Sequence, residues 1–233
     1  MELSQIKTSL ENADPRSRLK AICALRNYEP DIAIPLLLSQ IKEKDFLVRS
    51  FVARELGQKR TSESFAALLE LIKFDLDPNT RAEAANSLSL FGEVSISHLV
   101  VSFHQDDNWL LRRSILAALM ELNCPDELFE ICEVGIKGED FSVKQACLNS
   151  LGIFASKSQE DQAIKILIDE LDSPYWRMRS TVAQALTKFS KSEAQEALKK
   201  LAQDRDHRVV AATLEKSLDK TIERDENFLN NEI

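Results

Sequence analysis

A segment that recurs every 31 to 35 residues constrains the fold of this chain more than any other feature. Its clearest copy begins at Asp45 and reads DFLVRSFVARELG. Val48, Val52 and Leu56 fall on one face of a 3.6-residue helix, which predicts an amphipathic α-helix. Asp45 stands where its carboxylate can accept the free N–H groups of the first turn. Gly57 follows the last apolar turn, so we predict that the helix ends there.

The same frame fits six further blocks along the chain. The seven starting positions are Asp14, Asp45, Asp77, Asn108, Asp140, Tyr175 and Asp206. A shorter segment with helical apolar spacing precedes each block, at residues 3–10, 32–41, 64–72, 96–103, 127–136, 161–171 and 193–201. A fixed period of this size is the signature of a stacked solenoid. We predict an all-α, right-handed α-solenoid of about seven helical hairpins. It should form one domain over residues 1–220, followed by an acidic, frayed tail at 221–233.

Net charge and cysteine usage narrow the possible partners and compartments. The chain has a formal net charge of −8, whereas phosphate contacts require a basic surface, so we expect no nucleic-acid partner. The four cysteines form no C-x-x-C motif, which is typical of reduced thiols in the cytoplasm. The N-terminal segment MELSQIKTSL lacks a basic region followed by an apolar run, and no stretch approaches a membrane span. We expect a cytoplasmic protein with no membrane partner.

The repeat frame resembles a known family. Written as D-x-x-[VL]-R-x-x-A-x-x-x-L, it resembles the short HEAT-like repeats named after phycobilisome lyases, over residues 14 to about 218. The segment AIPLL, which starts at Ala33, is similar to the first helix of such a repeat. The segments FLVRSFVARELGQKRT, FDLDPNTRAEAANSLSLFG and DDNWLLRRSILAALMELNCP resemble two cyanobacterial groups. One group is the E/F-type phycobilin lyase subunits and their relatives in phycobilisome turnover. The other is a HEAT-repeat protein that associates with A-type iron–sulfur carriers.

This resemblance implies a protein-binding scaffold rather than a complete catalyst. In the lyase reading, the chain assists the attachment of a bilin to a phycobiliprotein, or its removal. The partner is then the phycobiliprotein or a second HEAT-like subunit, and any bilin is bound only transiently. The alternative is a non-enzymatic partner of an A-type iron–sulfur cluster carrier. The residues contain no catalytic constellation, so they leave open whether the chain is part of an enzyme, and the fold is shared by proteins of many activities.

Six blocks carry a basic residue four positions after their start. These cations, the structural ladder, are Arg18, Arg49, Arg81, Arg112, Lys144 and Arg179. Their position lies on the leucine side of the helix, where a partly buried cation needs a partner. A row of binding groups for an anionic ligand is one interpretation. We predict instead that each cation pairs with an aspartate of its own or the next repeat and ties neighbouring repeats together.

Aromatic residues follow the starting position in four blocks. These edge aromatics are Phe46, Trp109, Phe141 and Trp176. They should line the edge of the solenoid where the second helices begin. One interpretation is that they are binding anchors, since aromatic side chains are favoured in protein interfaces. We expect instead that they are packing wedges between neighbouring repeats.

The outward face of the second helices is the candidate binding surface. Positions two, six, nine and thirteen of each block point away from the core, and in solenoids of this kind they line the concave side. In the second to fourth blocks this face carries exposed apolar residues where a solvated helix would carry Lys and Glu, which often marks a binding site. The predicted partner-binding groove consists of Leu47, Phe51, Arg54, Asn86, Leu90, Leu110 and Arg113. The alternative is that the superhelix curls enough to bury them.

Neither the histidines nor the cysteines have the spacing of a metal site. His98, His104 and His207 are not followed by glutamate, so the His-Glu ligand pairs of di-iron HEAT-repeat hydroxylases are missing. Cys124 and Cys132 flank the start of the fifth hairpin and are the candidates for a soft metal or a partner's cluster. Four thiolates in one place are not available. We predict no metal ligand, no catalytic residue and no stably bound cofactor.

Overall fold

The computed structural model describes residues 1–214, and all regular secondary structure in that range is helical. Within it the helices form seven successive pairs. They are α1 (Leu3–Leu10) with α2 (Pro15–Ala24), α3 (Pro30–Leu38) with α4 (Phe46–Lys59), α5 (Ser62–Phe74) with α6 (Pro78–Ser89), α7 (Ile96–Gln105) with α8 (Trp109–Glu121), α9 (Pro125–Lys137) with α10 (Phe141–Ser150), α11 (Glu160–Asp169) with α12 (Trp176–Leu186), and α13 (Ser192–Leu201) with a helical segment at residues 207–214. The predicted α-solenoid class is confirmed.

In six of the seven pairs, the side chain of the block's starting residue caps the start of the second helix. Asp45 Oδ1 accepts the N–H of Leu47 at 2.9 Å, and Asn108 Oδ1 accepts the N–H of Leu110 at 3.0 Å. The other aspartates that cap in this way are Asp14, Asp77, Asp140 and Asp206. Tyr175 occupies the same position without a side-chain cap. A cap of this kind contributes about 1 kcal/mol and fixes where the helix starts.

The core lies between the first and second helices of the hairpins. Val48, Val52 and Leu56, the apolar residues of the clearest block, are fully buried. Phe103, which comes from the first helix of the fourth hairpin, is also fully buried and is among the largest core side chains. Each helix is too short to be stable by itself in water, so burial of these apolar stripes against neighbouring helices supplies most of its stability.

Second helices stack side by side through small residues. α4 packs on α6, and the hydroxyls of Ser50 and Thr80 share a buried hydrogen bond of 3.2 Å between them. Gly57 lies against Ser87 so closely that a Cβ on Gly57 would stand 2.7 Å from the Ser87 Cβ. The prediction that α4 ends at Gly57 is wrong. The helix continues to Lys59, and Arg60 ends it with a left-handed φ of 51°. Gly57 is therefore required for helix contact rather than for a turn.

The chain divides into two compact units. Unit 1 is Met1–Ile131, and unit 2 is Cys132–Ile233, of which residues up to 214 are described. In unit 1, α2 packs on α4, α4 on α6, and α6 on α8; in unit 2, α10 packs on α12, and α12 on α13. A single domain over residues 1–220 stays a prediction, and the tail at 221–233 lies outside the described residues. Up to residue 214, none of the helices has the length and apolar character needed to cross a membrane.

Candidate functional site

Ladder cations reach acidic residues of the following hairpin. The pairs are Arg18–Glu43 at 2.9 Å, Arg49–Asp75 at 2.6 Å, Arg81–Asp106 at 2.9 Å, Lys144–Glu170 at 2.9 Å and Arg179–Asp204 at 2.7 Å. Arg49 also donates from Nη1 to the carbonyl oxygen of Glu43 at 2.6 Å, in the turn before its own helix. Such a cation joins the turn of its own hairpin to the turn of the next one. Hydrogen bonding from Arg179 lowers the pKa of Asp204.

The ladder does not have the same geometry at every position. Arg81 Nε lies 2.9 Å from Asp106 Oδ2 without an aligned hydrogen bond, and Arg81 instead donates from Nη1 to the carbonyl oxygen of Asp75 at 2.9 Å. Arg112 donates from Nε to the carbonyl oxygens of Asp106 and Phe103, at 2.8 and 3.2 Å. Its guanidinium also lies 5.0 Å from the Phe103 ring centroid. All six ladder cations are thus engaged by groups of the chain itself rather than presented as a free row for an anionic ligand.

The four edge aromatics have different environments. Phe141 packs edge-on against the tyrosine that starts the next block, with ring centroids 5.5 Å apart. Trp176 lies under the guanidinium of Arg208, which is 3.4 Å from its ring centroid. These two therefore contact the following hairpin, as a packing wedge would. Phe46 and Trp109 are 41% and 45% exposed, so much of each ring remains open to solvent.

All residues of the predicted groove lie in unit 1, on or at the ends of α4, α6 and α8. We call the outward face of these three helices the second-helix face. Leu47 and Leu90 on it are 42% and 36% exposed. Asn86 and Arg113 are also exposed, whereas Phe51, Arg54 and Leu110 are half-buried. Four of the seven predicted groove residues are therefore exposed, and three are partly covered.

The leucines of this face do not form one cluster. Leu47 and Leu110 lie in the first turns of α4 and α8, while Leu90 is the residue that caps the C-terminus of α6. Because α6 lies between α4 and α8, Leu47 and Leu110 are about 20 Å apart, twice the usual helix spacing. Leu90 is roughly another helix length, about 18 Å, along the face. The structure therefore places the three leucines at the edges of a strip that carries Phe51 among polar side chains between them.

Arg54 lies on this strip, midway along α4, in a fixed position. Its Nε donates to Glu83 Oε1 at 2.8 Å, which joins α4 to α6, and its guanidinium stacks 4.7 Å from the Phe51 ring centroid. The hydrogen bond to Glu83 raises the pKa of Arg54. The sequence assigns this guanidinium to the predicted partner-binding groove. In the structure Glu83 neutralises it, so Arg113 is the exposed guanidinium of the predicted groove.

A second salt-bridge staple, besides Arg54–Glu83, joins the first and second hairpins. Glu55 is fully buried, and both its oxygens accept hydrogen bonds from Arg26, at 3.0 Å from Nε and 2.6 Å from Nη2. Lys59 donates to the carbonyl oxygen of Arg26 at 2.8 Å. These contacts hold the 3₁₀ turn Leu25–Asn27 against α4. A buried carboxylate is stable only because its partner satisfies both oxygens.

Sequence reasoning missed Arg26, Glu55 and Glu83. The repeat pattern does contain a signal for Glu55. Glu55 is ten residues after Asp45, and the tenth position of each block lies where neighbouring second helices touch. In the other described blocks that position is small: Ala24, Ser87, Ala118, Ser150 and Ala185. A glutamate among small residues indicates a buried partner. No comparable signal identifies Glu83, since an exposed glutamate on a helix is ordinary.

The cysteines named as metal candidates face inward. Cys124 is buried, and its Sγ donates to the carbonyl oxygen of Leu119 at 3.3 Å. Cys132 is fully buried, and a hydrogen bond with the Cys147 thiol, together with burial, holds its pKa well above the usual value. Cys23 is exposed, and partial burial followed by the charge of nearby Glu55 raises its pKa. A partner's cluster therefore cannot reach Cys124 or Cys132 in this conformation.

The histidines are placed among ordinary side-chain contacts. His104 Nε2 lies 2.8 Å from Glu130 Oε1, and His98 packs edge-on against Phe65 at 5.3 Å between ring centroids. Among residues 1–214, no three His, Cys, Asp or Glu side chains are grouped as metal ligands would be. The predicted groove residues thus leave the second-helix face as the candidate binding site.

Comparison with known families identifies the repeat to which these helices belong. The family model for HEAT repeats matches residues 34–120 and 129–219, which together span most of the chain. The chain belongs to the HEAT-repeat family. The resemblance inferred from the repeat frame is thus confirmed at the level of the family. No curated protein sequence matches this HEAT-repeat chain.

Solved structures share the fold of this HEAT-repeat chain at low sequence identity. Escherichia coli YibA has a TM-score of 0.66 and 15% identity over 95% of this chain and 86% of that chain. The complex of CpcE and CpcF of phycocyanin lyase from Nostoc sp. has a TM-score of 0.50 and 16% identity over 91% of this chain and 94% of that chain. Human deoxyhypusine hydroxylase in complex with glycerol has a TM-score of 0.47 and 16% identity over 93% and 94%. The likenesses to YibA and to the CpcE and CpcF complex show a common fold.

Proposed function

We propose that this chain is a protein-binding HEAT-repeat scaffold of the phycobilin lyase type, and that it binds its partner on the second-helix face of unit 1. The partner is a phycobiliprotein chain or a second HEAT-like subunit. The observation that carries the proposal is the character of that face, which is accessible, partly apolar and almost neutral. The family and the fold supply the scaffold, and the residues of the face supply the reason to expect a protein partner.

The composition of the face separates it from an ordinary solvated surface. Its outward positions are Leu47, Phe51, Arg54, Gln58, Asn79, Glu83, Asn86, Leu90, Leu110, Ser114, Ala117 and Glu121. None of these is lysine, and the charges of Arg54 and Glu83 neutralise each other. The centres of protein interfaces are depleted in Lys, Glu and Asp and enriched in Phe and Arg. A neutral strip with apolar edges is more favourable in contact with a protein surface than in contact with water.

The role of the scaffold in a lyase reaction would be positioning. A bilin becomes attached at a cysteine of the phycobiliprotein, so the nucleophile belongs to the partner. Holding protein and chromophore in one geometry accelerates such a step without any nucleophile from the scaffold. The exposed guanidinium of Arg113 suits a propionate carboxylate of a transient bilin, whereas that of Arg54 is already held by Glu83. The sequence resemblance to the cyanobacterial lyase subunits supports this choice of partner.

The test measures binding of a phycocyanin subunit to the chain and to a variant with Leu47→Asp and Leu110→Asp. Both residues lie in the first turn of a helix, where aspartate favours the N-terminal dipole, so folding should be preserved. Two carboxylates at the edges of the strip should weaken binding at least tenfold, about 1.4 kcal/mol. This variant is preferable to Arg54→Ala, which would also break the staple between α4 and α6.

Lys165→Ala is the matched control, because Lys165 is exposed on α11 in unit 2. It should bind the phycocyanin subunit as the unaltered chain does. Equal binding by the double aspartate variant, or loss of binding in Lys165→Ala, would place the working surface elsewhere. If the chain instead binds a purified A-type iron–sulfur carrier and no phycobiliprotein, the non-enzymatic alternative replaces the lyase proposal.

A further inference from the structure

The turn between α5 and α6 differs from the equivalent turns of the other hairpins. Three residues before the cap, the chain has Glu11, Lys42, Phe74, Gln105, Lys137, Asp172 and Gln203. One residue before the cap, it has Ala13, Lys44, Leu76, Asp107, Glu139, Pro174 and Arg205. Phe74 and Leu76 are thus large apolar residues where the other turns carry polar or small ones. Since six turns of the same fold form without them, the fold does not require them.

Both residues project into solvent. Phe74 is 65% exposed and Leu76 is 94% exposed. An isolated exposed leucine on a protein surface is common and needs no explanation. A phenylalanine and a leucine two residues apart, both more than half exposed and both unique among seven equivalent turns, are a different case. Exposed apolar surface without a folding role is characteristic of a binding site.

The ladder holds this turn rigid from both sides. Arg49 donates from Nε and Nη2 to the two carboxylate oxygens of Asp75, at 2.6 and 2.8 Å. The N–H of Asp77 donates to the same carboxylate at 2.9 Å, and Arg81 donates to the carbonyl oxygen of Asp75 at 2.9 Å. The backbone on either side of Leu76 is therefore fixed. An apolar side chain on a preorganised turn loses little conformational entropy when a partner binds it.

The two side chains border an open groove between neighbouring turns. The groove, of about 860 Å³, runs between the turn that precedes α4 and the turn that precedes α6. Ile41 and Phe46 provide its apolar wall on the α4 side, and Phe46 is 41% exposed. We call these four residues the turn-edge patch: Ile41, Phe46, Phe74 and Leu76. The groove is open to solvent rather than enclosed, which suits a protein segment better than a small molecule.

Most of the exposed charged side chains at the rim of the patch are lysines. Lys42 is 85% exposed in its side chain, and Lys44 and Lys73 are also exposed. The acids beside the groove other than Glu70 are half-buried and contact groups of the chain itself. Glu43 pairs with Arg18 and Asp75 with Arg49, while Asp45 and Asp77 cap α4 and α6. The exposed acid at the groove is Glu70, which lies 3.9 Å from Lys42. On a chain with a net charge of −8, this is a local surface for negative charge.

We propose that the turn-edge patch, with Lys42, Lys44 and Lys73 at its rim, binds a segment of a partner protein that carries large apolar side chains among Asp and Glu. Phe74 and Leu76 are its anchors, and the lysines select the acidic context. This is a second interaction surface, and it does not depend on the second-helix face. A scaffold with two such surfaces holds two protein segments at once.

The test uses a random displayed peptide library, selected on the immobilised full chain and depleted on a variant with Phe74→Gln and Leu76→Ala. These substitutions are residues that other turns of this chain have at the same positions, so the variant should fold and melt as the original does. Selected peptides should combine large apolar residues with Asp or Glu. In fluorescence anisotropy, a synthetic peptide of this kind should bind the double variant at least about tenfold more weakly, since such anchors dominate binding.

Two matched variants separate anchoring from charge. Val94→Ala removes an apolar side chain that is 64% exposed at the opposite end of the third hairpin, and it should leave peptide binding unchanged. Lys42→Gln with Lys44→Gln should weaken binding and flatten its salt dependence, because screening acts on exposed charges. Selection of basic peptides, equal affinity for the double Phe74 and Leu76 variant, or no peptide that survives depletion would each overturn the proposal.

Self-association is measured by sedimentation on the same samples. A dimer that disappears in the Phe74→Gln and Leu76→Ala variant would show that a second copy of the chain occupies the patch, which also overturns the proposal. The same variant should bind a phycocyanin subunit as the unaltered chain does, because none of its changes lies on the second-helix face. Failure of the proposed lyase-type function and failure of this inference are therefore distinguishable.

Discussion

Arg49 illustrates what a ladder cation does at the scale of single residues. It contacts the carboxylate of Asp75 in the next turn and the carbonyl oxygen of Glu43 in its own turn. A single guanidinium therefore satisfies acceptors on two hairpins, which lysine can do less well because its donors are not held in a planar fork. Lys144, the lysine of the ladder, makes one ion pair, with Glu170 at 2.9 Å. The ladder stabilises the contact between repeats, and its strength varies along the chain.

The first prediction concerns the pH dependence of the pair Arg179–Asp204, whose side chains are 7% and 9% exposed. Hydrogen bonding from Arg179 lowers the pKa of Asp204 below its ordinary value of 3.8. A carboxylate with a depressed folded-state pKa contributes stability that is present above the unfolded-state pKa and is lost as pH falls through the folded-state pKa. Asp204→Asn should therefore lower Tm by at least about 5 °C at neutral pH. The difference from the unaltered chain should shrink below pH 3.8.

Asp107→Asn is the control for this measurement, since Asp107 is an exposed turn residue. Its Tm should follow that of the unaltered chain across the same pH series in calorimetry. A Tm difference for Asp204→Asn that stays constant from neutral to acidic pH would mean that the ion pair does not account for the stability it removes.

The second prediction concerns the thiols. Cys23 is exposed, whereas Cys124, Cys132 and Cys147 are buried. Because only the thiolate reacts, the raised pKa of Cys132 protects it in addition to its burial. Iodoacetamide at mildly alkaline pH should add one label to the native chain, more slowly than to a free thiol because the pKa of Cys23 is also raised. Mass spectrometry of peptides should locate that label on Cys23.

Denaturation before labelling should expose all four thiols. In a separate experiment, the folded Cys23→Ser variant should take no label. Early labelling of Cys132 in the native chain would contradict the buried pair that the structure shows between Cys132 and Cys147.

At the scale of elements, the contact between α4 and α6 depends on residues too small to separate the two helices. The third prediction is that Gly57→Ala destabilises the chain. In an exposed helix this change stabilises by about 1 kcal/mol. Here the new Cβ would meet the Ser87 Cβ at 2.7 Å and the Ser87 carbonyl oxygen at 2.9 Å, so the helices must move apart. Overpacking of this kind costs about 1–3 kcal/mol, and Tm should fall by several degrees.

Gly152→Ala is the matched control, because its Cβ would meet the Lys188 Cγ at 3.4 Å, an ordinary contact. Its Tm should change little. Adding Ser87→Gly to Gly57→Ala should restore only part of the loss, since the carbonyl oxygen of residue 87 remains. Full recovery would show that the Ser87 side chain alone sets the helix spacing, and a rise in Tm for Gly57→Ala would refute the close contact.

At the scale of the whole molecule, stability is a sum of hairpins and the contacts between neighbours. In unit 1, α4 is covered by second helices on both sides, α2 and α6, whereas α1 packs against α2 at the end of the stack. The fourth prediction is that amide hydrogen exchange is at least about tenfold faster in α1 than in α4 and α6, because the end hairpin opens without the rest. Exchange measured by mass spectrometry on peptides checks this.

The control for this prediction is Arg18→Ala, which removes the tie between the first hairpin and Glu43. It should accelerate exchange in α1 and α2 and leave α6 unchanged. Uniform protection across unit 1, or equal acceleration everywhere in this variant, would mean that the unit opens as a single cooperative body instead.

The sequence alone determined the class of fold and the starts of the second helices. Val48, Val52 and Leu56 predict their burial because a helix has a fixed angle per residue, and Asp45 predicts its cap because capping is a contact within the next three residues. The periodic frame also predicts a basic residue on the core side of most blocks. These features depend on geometry within one repeat, which the order of residues specifies directly.

Only the tertiary structure decided the partners across repeats. Arg54 meets Glu83 and Gly57 meets Ser87 because of the stagger and spacing of α4 and α6, which no pattern within either helix contains. The same holds for the exposure of Phe74 and Leu76, which resemble core residues by type. Periodicity states which way a side chain points from its own helix, whereas the neighbouring hairpin determines whether another residue, solvent or a binding partner meets it there.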